Sequence, residues 1–276
     1  MNILIFGSRG YMGQNFFRLF SGSFGSDVDI ADSAAVGKEF DRVQPDVVIN
    51  CAAKTGRPNI DWCEDHKADT LRSNVTGPLV LLEMCLKAGC HLVHMSSGCI
   101  YQGDNGGHGF SENDPPNFFG SFYARTKIWA EAVLKEFPML ILRPRMPFEN
   151  NAHERNLITK LAKYAKVIDV QNSMTYAPDL FDVAKKLIEK KATGIYNIVN
   201  PGAMSPYEIM ELYKEYVDPH HSFERVEPKQ LDQITKAGRS NCVLSCDKLR
   251  EEGMELPDIH QRVKEALQGY KKSVSS

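Results

Sequence analysis

Tyr123 and Lys127 are the residues best placed by type and spacing to do chemistry. They form a Tyr-x-x-x-Lys pair in the helical segment FYARTKIWAEAVLKEF, and an i, i+4 spacing puts both on one face, about one turn apart. An ammonium beside a phenol favours the phenolate. The pair therefore predicts a tyrosine titrating below its usual value of about 10 and able to hand a proton to a carbonyl oxygen. Ser97, 26 residues earlier, ends the predicted strand HLVHMSSGCIY, where its hydroxyl can hydrogen-bond the same oxygen. Such a pair alone reads more readily as a solvated helix face; the strand-end serine and a glycine turn upstream point to carbonyl reduction.

That turn holds Gly7, Gly10 and Gly13, with Ser8, Arg9, Tyr11 and Met12 between them. It follows the apolar run Asn2–Phe6 and precedes YMGQNFFRLF, whose Phe16, Phe17, Leu19 and Phe20 have helical spacing. Strand, glycine turn and helix in that order set backbone N–H groups where a pyrophosphate binds. Further elements must position the two sites. DVDI reads as a strand, AAVGKEFDRV as a helix and PDVVINCAA as a buried strand. ADTLRSNVTGPLVLLEMCLKAG reads as one long helix ending at a glycine cap, and MLILRPRMP as a strand after the Tyr123 helix. KVIDV and GIYNIV read as later strands around the helix DLFDVAKKLIEKK.

Serial βα units predict an α/β fold, a Rossmann-type doubly wound parallel sheet with a smaller substrate-binding lobe. The expected core is 1–146, with 167–200 completing the sheet, and the lobe is 147–166 and 201–276; the tail KKSVSS should fray. A length of 276 residues suits this plan. With 42% hydrophobic and 25% charged residues, disordered and collagen-like classes are excluded. Lys plus Arg total 33 against 35 acids, which gives no electrostatic reason to expect nucleic acid or an acidic membrane as partner. No apolar run reaches the roughly 18–20 residues of a spanning helix, and the N-terminus lacks signal-peptide features, so a cytoplasmic location is expected. The seven cysteines lack metal-type pairs and the eight histidines lack ligand spacing, so no metal is expected.

The blocks GSRGYMG, NCAA, SSGCIY and YARTK resemble the extended short-chain dehydrogenase/reductases that act on nucleotide sugars. VIDVQNSMTYAPDL, GIYNIVNPGAMSPYEI and RSNCVLSCDKL are similar to the dTDP-4-dehydrorhamnose reductase branch. KTGRPNIDWCEDHK, PPNFFGSFYARTK, RPRMP, RNLITK and IDVQNSMT resemble the plant bifunctional 3,5-epimerase/4-reductases of UDP-L-rhamnose synthesis. The resemblance covers nearly the whole chain. It implies NADPH as cofactor (NADH more weakly), a homodimer formed through the helices at 70–88 and 122–136, and UDP-4-keto-6-deoxy-D-glucose as substrate.

It also implies a second activity. Cys99 lies where related bifunctional enzymes carry a proton-moving cysteine, and Lys160 in RNLITK matches a second acid/base. The chemistry agrees, because a 4-keto sugar has acidic hydrogens at C3 and C5, and inversion needs one group to remove a proton and another to return it on the opposite face. A thiolate and a desolvated amine suit those roles.

The cofactor's 2′ end is harder to read. Arg9 suits a 2′-phosphate. Asp32, 19 residues after Gly13, has nearly the spacing of an acid that holds a free ribose hydroxyl. DVDIADSAAV aligns better with the family segment bordering adenine, with Asp29 and Ile30 nearest the base, which leaves the usual phosphate reader unassigned. Ala52, Ala53 and Lys54 should flank the cofactor, and Asn74 matches a family asparagine that steadies the active-site strand. Thr55, Arg57 and Asn59 should cover the sugar, with Ser97 and Arg145 also on the substrate, and Asn156 and Arg239 should meet the diphosphate. Two other readings remain at this point: a 4-reductase without epimerase activity, and a non-catalytic NADP-binding regulatory subunit.

Overall fold

Short apolar runs bounded by turn residues are what a parallel strand buried on both faces requires. The computed structural model describes residues 1–274 and builds its main sheet from such runs. In chain order the elements are β1 (Ile3–Phe6), α1 (Tyr11–Leu19), β2 (Phe24–Ser26), α2 (Ser33–Val43), β3 (Val47–Asn50), α3 (Asp61–Asp65), α4 (Lys67–Leu71), a π turn (Arg72–Thr76), α5 (Gly77–Ala88), β4 (His91–Met95), α6 (Phe122–Leu134) and β5 (Leu140–Pro144). They continue with α7 (Leu157–Leu161), β6 (Lys166–Ile168), α8 (Ala177–Glu189), β7 (Gly194–Ile198), α9 (Pro206–Tyr216), β8 (Glu224–Val226), α10 (Pro228–Asp232), α11 (Asp247–Glu251) and α12 (Ile259–Val274).

Six strands form one sheet in the order β2-β1-β3-β4-β5-β7. The ladders from β2 through β5 are parallel, with Phe6 paired to Ser26 on one side and to Asn50 on the other. The winding reverses between β1 and β3, and ligands of such sheets lie beyond the carboxyl ends of the strands at that point. The glycine turn leaves β1 there, and the segment 51–54 leaves β3 beside it.

The chain divides into two compact units: residues 1–100, 116–143 and 184–196, and residues 101–115, 144–183 and 197–276. Leu4, Phe6, Val36, Phe40, Leu81, Leu134 and Ile141 belong to the core of the first. Phe148, Ile158, Met174, Met210, Val263 and Leu267 belong to that of the second. Among the described residues no helix is long and apolar enough to cross a membrane.

The sheet agrees with the Rossmann-type expectation; several elements differ in detail. The strand expected at DVDI lies earlier, at Phe24–Ser26. After it the chain turns at Asp29, whose carboxylate accepts from the Ala31 N–H at 3.0 Å, and Ile30 drops into the core. Asp32 caps α2, accepting from the Ala34 and Ala35 N–H groups, which accounts for its carboxylate without a ribose. The long helix at 68–89 is interrupted by the π turn, after which Pro78 opens α5; Gly89 closes it in the left-handed region, at φ 67°.

The strand expected at HLVHMSSGCIY stops at Met95, so Ser97 and Cys99 sit in the turn beyond its carboxyl end. KVIDV supplies β6, which pairs with β8 in a two-stranded parallel ladder of the second unit; of 167–200 only β7 enters the main sheet. Residues 101–115, expected in the core domain, belong to the second unit. Lys271–Val274 of the tail are helical, and 275–276 lie outside the described residues.

Candidate active site

The glycine turn is built by backbone approaching backbone. Gly7 has φ +73°, and a Cβ on it would lie 2.7 Å from Ala52 N; one on Gly13 would lie 2.1 Å from Gly7 O. Gly10 is the N-cap of α1, contributes no side chain, and no acid occupies the first turn. The leading N–H groups of α1 and its dipole therefore suit a pyrophosphate. Across the turn, Ala52 N–H donates to Asn50 Oδ1 at 3.0 Å, and Ala53 follows it into the loop. Asn74, completely buried, accepts from Lys54 N–H at 2.8 Å, donates to Lys54 O at 2.9 Å and reaches Thr126 Oγ1 at 3.2 Å. It thus ties the segment expected to flank the cofactor to α6. The Ala31 N–H, and after it Arg72 paired at 2.7 Å, hold the Asp29 carboxyl below the ordinary range.

Helix α6 presents the tyrosine. Ser121 caps it by accepting from Ala124 N–H at 3.1 Å, and Glu64 Oε1 accepts from Phe122 N–H at 2.5 Å. Tyr123, Ser97 and Lys127 are all buried. The Ser97 hydroxyl hydrogen-bonds the Tyr123 phenol and also accepts from Cys99 N–H at 3.1 Å. The expectation of a lowered tyrosine pKa is corrected. Burial pushes the Tyr123 phenol well up, the Cys99 and Cys63 thiols act in the same direction, and the Ser97 hydrogen bond only partly offsets them. Tyr123 is therefore a neutral phenol across the physiological range. That is the form that donates a proton.

Lys127 Nζ donates to Met95 O at 3.1 Å. One turn further along α6, buried Glu131 receives Arg143 Nε on both oxygens at 3.2 and 3.0 Å, Arg143 Nη2, and Ser96 Oγ at 2.8 Å. Burial lowers Lys127 from 10.5 to about 8, against the opposing pull of Glu131 and Cys51. Below pH 8 the fold carries the cost of a buried ammonium, on the order of 3 kcal/mol. Between about 8 and 10.5 the unfolded chain holds more protons than the folded one, so this group's contribution to stability rises with pH across that window. Urea melts of Lys127→Met should show a flatter pH slope of unfolding free energy there than wild type; equal slopes would contradict the assignment.

The other expected site residues separate into those the fold leaves available and those it spends. Cys99 is half-buried in the turn after β4. Lys160 lies in α7 of the second unit, where burial and then Arg155 lower its pKa, partly opposed by Glu154; this moves an amine toward base function. Thr55 is half-buried and Arg57 exposed in the loop before α3, and Asn59 Oδ1 accepts from Asp61 N–H at 2.8 Å. Arg239 Nη1 donates to Ala237 O at 2.7 Å.

Two expectations are corrected. Arg145 is 1% exposed, and its guanidinium braces Asn172, Ser240 Oγ and Ser240 O, so it ties loops of the second unit together instead of meeting substrate. Asn156 is fully buried as the cap of α7, accepting from Ile158 N–H and donating to Glu149 O and Asn151 O, which occupies its carboxamide without a diphosphate. Glu64 and Asp27 were missed. Glu64 stands inside the GRPNIDWCEDHK block, but its partner is 58 residues away. Asp27 lies 20 residues after Gly7, and counting from the first glycine instead of the last would have found it.

Known proteins share both sequence and architecture with this chain. The bifunctional dTDP-4-dehydrorhamnose 3,5-epimerase/dTDP-4-dehydrorhamnose reductase of Arabidopsis thaliana is 39% identical over 94% of the chain and 90% of its own length. The crystal structure of the L780 UDP-rhamnose synthase of Acanthamoeba polyphaga mimivirus superposes with a TM-score of 0.92 at 32% identity, covering 98% of this chain and 99% of that one. A dTDP-4-dehydrorhamnose reductase of Bacillus anthracis, solved in complex with NADP, has the same fold, with a TM-score of 0.82 at 21% identity over 98% of each chain. The chain spans about two fifths of the longer trifunctional plant relatives it also matches. With residues 1–272 matching the RmlD substrate binding domain, the chain belongs to that family.

Proposed function

We propose that this chain is an NADPH-dependent nucleotide-sugar 4-reductase that also epimerises C3 and C5, converting UDP-4-keto-6-deoxy-D-glucose to UDP-β-L-rhamnose. The observation that carries the reading is the cluster of buried Ser97 and Tyr123 with half-buried Cys99 beyond the end of β4, in a chain whose glycine turn fits a dinucleotide. The relatives' activities and the NADP-bound reductase of the same fold support the choice of reaction and cofactor.

Bound NADPH supplies the hydride that reduces C4. The chain's own residues handle the oxygen and the protons. The Ser97 hydroxyl and Tyr123 phenol hydrogen-bond O4, drawing charge onto it, and the neutral phenol delivers the proton that completes the alcohol. The same two donors hold the enolate oxygen when a proton leaves C3 or C5. The Cys99 thiol is assigned one proton transfer of each inversion and Lys160 the other. Lys127, charged below about pH 8, restores the electrostatic balance when Tyr123 gives up its proton.

The exposed apolar side chains of Leu71, Leu86, Trp129 and Val133, on the helical segments 70–88 and 122–136, support a homodimer formed by those segments. Sedimentation should give twice the chain mass, and Trp129→Glu with Val133→Glu should return it to one chain; a wild-type monomer would refute the dimer. The reaction is tested by NMR of the product formed from UDP-4-keto-6-deoxy-D-glucose and NADPH. A product inverted at C3 and C5 and reduced at C4 is expected. Reduction without inversion would leave a 4-reductase alone. NADPH binding without turnover would leave a regulatory subunit.

A further inference from the structure

Tyr123, Lys127 and Glu131 follow one another at i, i+4 spacing, so one face of α6 carries all three. Two of them grip consecutive residues just ahead of Ser97. Lys127 Nζ donates to Met95 O at 3.1 Å, and Ser96 Oγ donates to Glu131 Oε2 at 2.8 Å. Strand β5 adds a third hold, since Ser96 N–H donates to Leu142 O at 2.8 Å. The next residue of β5, Arg143, donates Nε–H to both Glu131 oxygens at 3.2 and 3.0 Å, and Nη2 to one of them. Ser96, Glu131 and Arg143 are all buried. Three ties on two residues thus set how the chain leaves β4, and Ser97 is the first residue after them.

A buried carboxylate and guanidinium stabilise a fold little compared with apolar residues of the same volume. What this pair supplies is a fixed point and a charge. We propose that Glu131 is a positioning residue of the carbonyl-reducing site: through Ser96 it aims the turn that carries Ser97, and its carboxylate is the counter-charge of Lys127. This rests on the reductase reading and adds to it a residue that acts only through its neighbours. Titratable and charged groups reach Lys127 from four elements: Tyr123 and Glu131 on α6, Cys51 at the end of β3, His94 on β4 and, behind Glu131, Arg143 on β5. Burial raises the Cys51 thiol and the Tyr123 phenol; burial, and after it Lys127, lowers His94 well below its ordinary value. These three are therefore neutral near pH 8. Burial brings Lys127 down to about 8, and the Glu131 carboxylate works against that fall. Without it the ammonium loses its proton at lower pH.

The test is the pH profile of kcat for NADPH-dependent reduction of UDP-4-keto-L-rhamnose, which needs no epimerisation. The NADPH dissociation constant and urea melts are measured on the same proteins. Ser96→Ala removes the tether and keeps the ion pair; kcat should fall about tenfold with the alkaline limb still near pH 8. Glu131→Gln should lower kcat about 10- to 100-fold and move the limb about one pH unit lower. Glu131→Asp keeps the charge on a shorter side chain, and should return the limb to wild type without returning the rate. NADPH affinity should not change in any of them. Glu131→Gln combined with Arg143→Met leaves no unpaired guanidinium, and should lower the limb likewise if Glu131→Gln alone fails to fold. Wild-type kcat in Ser96→Ala, or an unmoved limb in the Gln variants, would overturn the proposal and leave the reductase reading standing. So would urea midpoints that fall while kcat and its limb stay put, since the pair would then only fasten α6 to β5. A wild-type chain that binds NADPH but does not reduce this sugar would overturn both readings.

Discussion

Tyr123→Phe is expected to lower kcat for reduction of the 4-keto sugar by about 10²–10⁴ while leaving the NADPH dissociation constant unchanged. The substitution removes one oxygen from a buried ring. That oxygen is the partner of Ser97; in the proposed reaction it donates the proton to O4, and it lies outside the glycine turn. Burial holds the phenol neutral, so the wild-type donor should stay protonated well above pH 8. Any alkaline loss of kcat near pH 8 then belongs to Lys127, whose ammonium is lost there. A Phe variant that kept more than about a tenth of wild-type kcat would not have lost its general acid, and the proton would have to come from elsewhere.

Cys99→Ser is expected to separate the two halves of the reaction. In D₂O without NADPH, wild type should wash deuterium into C3 and C5 of the 4-keto sugar. The serine variant should do so at least about 100-fold more slowly at one or both carbons, because a hydroxyl exchanges protons with carbon far less readily than a thiol. Lys160→Ala should show a related defect. Both variants should still bind NADPH and still reduce an already epimerised 4-keto-L-rhamnose derivative, since hydride transfer draws on Ser97, Tyr123 and Lys127. Wild-type exchange at both carbons in Cys99→Ser would reduce the thiol to packing at the end of β4 and leave the reductase activity alone.

The sheet was legible because its strands are apolar on both faces: ILIF, VVIN and LILRP announce burial by composition alone. β2 was misplaced because FGS is short and half-exposed, while the more apolar VDI beside it turns into the core without pairing. The shared face of Tyr123 and Lys127 was legible because helical spacing is local. The phenol's pKa was not. A local reading sees only the lysine four residues on, whereas burial and two thiols distant in sequence decide the shift. Arg145 and Asn156 were misread for the same reason: their partners, Ser240 and Asn172 for one and Glu149 and Asn151 for the other, are set by folded loops. Cys99 and Lys160 came from resemblance alone, because nothing in their spacing marks them.

The π turn at Arg72–Thr76 has a consequence in angular phase. An α-helix advances about 100° per residue, so a turn that takes up one extra residue resets which face of the following helix looks inward. Upstream, Thr70 is buried; downstream, Leu81 and Cys85 are buried; and the reset between them points the Asn74 carboxamide at Lys54 and Thr126. Thr70 and Leu81 stand eleven residues apart, which one uninterrupted α-helix would bring to within about 20° of the same face; the wider turn offsets the following stretch from that phase. The interruption is a clutch between two stretches of helix. It offsets the face that α5 packs on the core from the face of α4, with Asn74 in the interruption itself bonded to Lys54, and a one-residue deletion within 72–76 would disengage it.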